Sequence, residues 1–204
     1  MRTNALTIAA AAAAVLALTA VPASARSPVA GPHAPHAGPA QAECGTPTKG
    51  HMACMAFRRT DVAHPHGVQP AAAPFGYAPT DLASAYHLPT GGGAGETVAI
   101  TIAYDNPHLE SDLAVYRQQY GLPACTTGNG CFRKIDQRGG TDYPVPDERW
   151  GGESDLDVDM VSATCPACHI VVVEADDSTE TNLFAAVDQA VAQGAQFVSS
   201  SWGG

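Results

Sequence analysis

Glu153 and Asp157 lie four residues apart inside Trp150 to Cys168, a stretch with helical periodicity. On a helix that spacing puts both carboxyls on one face, with Cβ atoms roughly 5–6 Å apart. Two acids so close do not both ionise cheaply, so a proton tends to be shared and one pKa rises. A carboxyl poised near the working pH can serve as a general base or acid. The same residues also suit a structural role, because acids in the first turns of a helix complement its dipole. Asp155 and Asp159 form a second pair at the same spacing, and Leu156, Met160 and Ala163 mark the apolar side of the helix. Spacing alone therefore leaves open which pair faces a cleft.

The start of the chain bears on where such chemistry would take place. Met1-Arg2-Thr3 is followed by an apolar run over 5–20 and by the small residues of Pro22-Ala23-Ser24-Ala25. This pattern predicts a signal peptide over 1–25, cleavage after Ala25, and a secreted, extracellular protein. The run falls short of the roughly 20 residues that span a bilayer, and no later segment is apolar enough, so no membrane contact is expected after cleavage. In an exported chain six cysteines read first as three disulfides. The local pairs are Cys44 with Cys54, Cys125 with Cys131 and Cys165 with Cys168, although sequence alone does not fix connectivity. Cys165 and Cys168 also match a redox C-x-x-C. Their position after the acidic helix, rather than at the start of a helix following a strand, favours a structural bridge.

Composition excludes other classes. The net charge is -10 and the basic residues are scattered, so no nucleic-acid footprint is expected. Five histidines (His33, His36, His51, His64 and His66) fall in the Pro- and Ala-rich front without convincing metal-ligand spacing. Residues 26–74 lack periodicity and read as a flexible leader or short pro-segment; 75–204 read as a packed domain.

Within that domain strands and helices alternate. Thr97 to Ala103 is a strand covered on both faces. The preceding Gly91 to Gly95 is a loop, not a phosphate cradle, because it comes before the strand. Asp105-Asn106-Pro107 opens a helix with Leu109, Leu113 and Tyr116 on one stripe and a stop at Gly121. A bridged loop with a short strand at 132–135 precedes the acidic helix, placed at 153–164, and a buried strand at 169–174. Ser178 or Thr179 caps a helix carrying Leu183, Val187 and Val191, ended by Gly194; a strand at 195–200 follows. The order predicts an α/β fold with a parallel sheet flanked by helices.

Four segments in this order carry a resemblance. They are Phe75-Gly76-Tyr77-Ala78-Pro79-Thr80-Asp81-Leu82 with Ala85-Tyr86-His87-Leu88-Pro89; the strand to Tyr104 with Asp105-Asn106-Pro107; Gly152-Glu153 to Met160; and Ser199-Ser200-Ser201-Trp202-Gly203. Together they resemble the catalytic domain of the sedolisin (serine-carboxyl) peptidases. Leu122-Pro123-Ala124-Cys125 and Cys131-Phe132-Arg133-Lys134 look like those of secreted actinobacterial members. The resemblance implies the N-terminal portion of a subtilisin-like fold and a serine-type endopeptidase acting on peptides or proteins at acidic pH. It implies Glu153 as the base for a nucleophilic Ser, Asp157 as the acid orienting it, and Ser201, Trp202 and Gly203 as the stretch along which substrate backbone lies. Trp202 reads equally as a packing residue at a strand end.

The chain also departs from that pattern. No Gly-Thr-Ser occurs in it, and neither the family's oxyanion Asp nor its calcium loop is found. The chain is therefore expected to be truncated before the nucleophile, inactive alone, without cofactor, and marginally stable because its last strand lacks a neighbour. The alternative is a non-catalytic exported relative that binds peptides, or a gene fragment. Asp105 resembles the acid of an Asp-His-Ser triad with His108 nearby, but no further His motif follows. It is assigned to helix capping or the cleft rim, and His169 to the start of a buried strand.

Overall fold

A strand that is apolar and β-branched at nearly every position needs cover on both faces, and Thr97 to Ala103 becomes the centre of the sheet for that reason. The computed structural model describes residues 39–61, 76–89 and 91–204, all within one compact unit, Pro35–Gly204. The signal peptide expected over 1–25, His33, His36, His64, His66 and Phe75 lie outside the described residues. In chain order the elements are β1 (Ala40–Ala42), β2 (Ala53–Cys54), β3 (Phe57–Arg59), α1 (Pro79–Tyr86), β4 (Thr97–Ala103), α2 (Leu109–Gln119), β5 (Phe132–Asp136), α3 (Glu148–Thr164), β6 (His169–Ala175), α4 (Glu180–Ala192), β7 (Phe197–Ser199) and β8 (Trp202–Gly203).

The main sheet runs β5-β6-β4-β7, and every pair in it is parallel. β4 and β6 pair from Thr97 with His169 to Ala103 with Ala175. Ile100, Ile102, Ile170, Val172 and Val173 supply the core between sheet and helices. Helix α4 packs on β4 and β6, α3 packs on β4, and α1 and α2 pack on α3. The expected α/β class, a parallel sheet flanked by helices, is what forms. No helix among the described residues is long and apolar enough to cross a membrane.

Local chemistry explains the boundaries. Helix α3 begins at Glu148, more than a turn before the expected Glu153, because the Asp147 carboxylate accepts from the N–H groups of Arg149 and Trp150 at 3.0 and 3.1 Å. Of the two candidate caps for α4, Thr179 is the one used: its hydroxyl accepts from the Asn182 N–H. The buried faces differ from the expected stripes. Arg117, not Tyr116, completes the inner face of α2. In α4 Ala186 and Ala190 join Leu183, while Val191 points outward. Arg117 is tolerated inside because it donates to the Pro123 and Pro166 carbonyls and to the Ser162 hydroxyl.

Asp105 does not cap α2. The N-cap position is His108, whose N–H donates to Asn106 Oδ1 at 3.0 Å, and Asp105 is engaged by the Lys134 ammonium instead. The three disulfides close as the local pairs suggested, with Cα–Cα distances of 5.3, 4.8 and 5.4 Å for Cys44–Cys54, Cys125–Cys131 and Cys165–Cys168. Gly93, at φ 83°, sits directly over the last bridge, and a Cβ there would collide with both sulfurs.

The flexible-leader reading of 26–74 needs correction for residues 39–61. β1 and β3 pair antiparallel, and β2 pairs antiparallel with β8. Cys44, Cys54 and Ala56 are buried. Strands of two or three residues are too short to leave a periodic signature, so composition alone concealed them.

Candidate active site

The Asp147 cap sets the phase of α3, and a side chain outside the helix fixes its position against the sheet. Asn106, just past the end of β4, donates from Nδ2 to the Gly151 carbonyl at 3.2 Å, to Ser154 Oγ at 3.1 Å and to Asp155 Oδ1 at 2.8 Å. These contacts flank Glu153 on the helix. They turn Glu153 and Asp157 inward, where they are 2% and 7% exposed.

The two acids find different partners. Asp157 Oδ1 accepts from the Ser201 hydroxyl at 2.6 Å, just beyond the carboxyl end of β7, while Asp157 Oδ2 is buried with no partner. Glu153 Oε2 accepts from the backbone N–H of Ala56 at 2.5 Å. Among the described residues no hydrogen bond joins Glu153 to Asp157, so their coupling is electrostatic. Burial pushes Asp157 up to about 6, the Ser201 hydrogen bond opposes that rise, and the nearby Glu153 adds to it. Burial raises Glu153 as well, against the N–H groups of Ala56 and Met55. Loss of water, more than mutual repulsion, is thus the main cause.

The second pair faces elsewhere. Asp155 and Asp159 are half-buried toward Asp112 of α2, and burial together with these like charges pushes them up to about 6 and about 8. Asp155 lines one groove with Asn106, His108 and Asp112, whereas Glu153 and Asp157 face Ser201 and Ala56. They line an open groove of about 580 Å³ with Met55, Leu156, Met160 and Ser201.

Trp202 is anchored by packing and hydrogen bonds. Its Nε1 donates to the carbonyl and hydroxyl of Thr101 at 3.0 and 3.2 Å, and its ring lies 5.8 Å from that of Phe184. Thr101 Oγ1 also pairs with Ser200 Oγ at 2.7 Å. Trp202 and Gly203 meet Cys54 and Ala53 along their other edge.

Sequence reasoning missed three features. The Ser201 side chain was passed over because its expected role lay in the backbone. Asn106 was read only as part of a helix start. Lys134 lies 3.3 Å from Glu174, which is 0% exposed, and also holds Asp105 and the Asn106 carbonyl. Two carboxyls share one ammonium there, and burial outweighs Lys134 to push Glu174 up to about 8. An acid ending the apolar run His169 to Glu174 was the available signal, since a buried acid requires a partner.

No family model matches the sequence. Kumamolisin from Bacillus sp. (strain MN-32) is 33% identical over 138 residues, which cover 65% of this chain and 24% of kumamolisin. The chain thus spans about a quarter of the length of the curated relative it matches. A solved structure, Pseudomonas sedolisin (serine-carboxyl proteinase) complexed with two molecules of pseudo-iodotyrostatin, is similar over 60% of this chain and 34% of that one, with a TM-score of 0.49 and 23% identity. Over its aligned part the chain is thus similar to a member of the sedolisin family.

Proposed function

We propose that the chain is the front part of a secreted, sedolisin-type endopeptidase domain that cleaves peptides or proteins in acidic media. The observation that supports this best is the burial of Glu153 and Asp157 together on one face of α3, against the residues that follow β7. In this reading Glu153 takes the proton from an attacking serine hydroxyl and returns it to the leaving amine. Asp157, through the hydrogen bond it accepts from Ser201, holds the strand on which substrate backbone lies. Burial raises Glu153 above its ordinary value, and a carboxylate base suits acidic media, where a histidine base would already be protonated.

The 204 residues contain no Gly-Thr-Ser, so the chain as it stands supplies base and peptide path but no nucleophile, and is inactive alone. That observation favours one second reading, an exported relative that binds peptides without cutting them. Among the described residues no three His, Cys, Asp or Glu side chains stand together for a metal.

The test is hydrolysis of an unfolded polypeptide by the product of the whole reading frame, between pH 3 and 7. Cleavage is expected to be fastest below about pH 5 and to fall at least ~100-fold in Glu153→Gln, the usual scale of a lost general base. Undiminished turnover in that variant, or a maximum at neutral pH, would reject Glu153 as the base. Binding without turnover would support the second reading.

A further inference from the structure

Three charged side chains that take no part in the proposed chemistry meet on one face of the sheet. Lys134 of β5 and Asp105, just past β4, come from strands that are not neighbours; β6 runs between them and contributes Glu174. Lys134 pairs in register with Val172, two residues before Glu174, so both side chains leave the same face. There Lys134 Nζ engages Asp105 Oδ1 and lies 3.3 Å from Glu174 Oε1. The side chains of Lys134, Asp105 and Glu174 are 14%, 11% and 0% exposed. The Tyr143 ring covers Lys134, its centroid 4.3 Å from Nζ. Glu174 Oε1 accepts from the Asn106 N–H at 3.2 Å, while Glu174 Oε2 is buried with no partner among the described residues.

Buried charges cost free energy that a neutral amide does not. Two groups held in contact by a fold also react as though at very high concentration. An ammonium among carboxyls is ordinarily an ion pair and nothing more. This cluster has three further properties: the amine nitrogen and one carboxyl touch, a second carboxyl stands beside that nitrogen, and one oxygen of the second carboxyl is unclaimed. Burial pushes Glu174 up to about 8, against the Lys134 charge, so Glu174 holds a proton at neutral pH.

We propose that Lys134 and Asp105 condense into an internal isopeptide cross-link, with Glu174 as the proton carrier. The Lys134 ammonium first gives a proton to the Asp105 carboxylate, leaving an amine and a carboxylic acid. The lone pair of Nζ then forms a bond to Asp105 Cγ. Glu174 Oε1 takes one proton from that nitrogen, and Oε2 gives its own to the Asp105 hydroxyl, which departs as water with its bonding pair. Glu174 ends as it began, an ion pair has become a neutral amide, and one water is released. The link joins the end of β4 to β5 across β6. It also steadies the neighbouring Asn106, whose side chain positions α3, and it forms whether or not the chain cleaves peptides.

The experiment is the intact mass of the full chain after reduction of its disulfides, with two variants beside it. Lys134→Arg keeps the positive charge without the reactive amine, and Glu174→Gln keeps the shape without the proton carrier. The unaltered chain is expected to be lighter by one water than the sequence read from its own N-terminus. Protease digestion of it is expected to yield a branched peptide that holds Asp105 and Lys134. Both variants are expected at full mass, with the two residues in separate peptides. Full mass in an unaltered chain whose disulfides have formed, or a water lost within a single linear peptide, overturns the cross-link. An undiminished branched peptide in Glu174→Gln overturns Glu174 as the carrier. Should a variant not fold, the mass and the branched peptide of the unaltered chain decide whether the bond exists.

Discussion

A carboxyl that loses water without gaining a cation holds its proton to higher pH, and Asp157 does so with a single hydrogen bond in opposition. That bond comes from Ser201 Oγ, and it favours the charged form. Ser201→Ala is therefore expected to move Asp157 above about 6, read from side-chain carboxyl shifts in an NMR titration; a fall or no change would contradict the account. At this scale the acids themselves were legible from an i, i+4 spacing. Their partners were not, since a serine hydroxyl and a backbone N–H from nearly a hundred residues away leave no local pattern.

Among the elements, α3 carries the chemistry, and two polar side chains outside it decide how it sits. Asp147→Ala removes the acceptor for two free N–H groups at the helix start and is expected to cost about 1 kcal/mol, the usual worth of such a cap; urea denaturation measures it. Asn106→Ala leaves the Gly151 carbonyl, Ser154 and Asp155 without a shared donor, and a loss of roughly 1–3 kcal/mol follows if these groups stay dry. The same change is expected to raise Asp155 above about 6, because Asn106 favours its charged form. A stable variant with Asp155 unmoved would show that the clamp does not position the helix. The long strands were readable because their apolar runs admit only burial on both faces. The beginning of α3 was misplaced because attention to the acidic pair hid Asp147, and β1 to β3 were invisible because each is too short to have a period.

For the whole molecule the raised carboxyls set the direction of acid dependence. Asp155 and Asp157 at about 6, and Asp159 and Glu174 at about 8, all bind protons more tightly folded than unfolded. Their contribution is complete below the ordinary carboxylate range and is lost as pH rises through 6 and then 8. Asp136 and Asp177 act oppositely. Burial works against their charge, but the N–H groups of Arg138, Gly140 and Asp142, and the Thr179 and Asn182 donors, hold them below their ordinary values, so their contribution is lost as pH falls. Stability is thus expected to peak between about pH 4 and 6, with Tm at least ~5 °C lower at pH 8.5 than at pH 5; a Tm that rises with pH across that window would reverse the argument. The order of elements, and so the sheet, could be read from the chain, whereas the docking of residues 39–61 onto β8 depends on contacts far apart in sequence. The most direct measurement of the central claim, that α3 presents a dry pair of proton-binding carboxyls at the strand ends, is the NMR titration of Glu153 and Asp157 in the unaltered chain. The account predicts that both titrate above their ordinary values, with Asp157 near 6; two ordinary carboxylate titrations, as for solvated side chains, would contradict it.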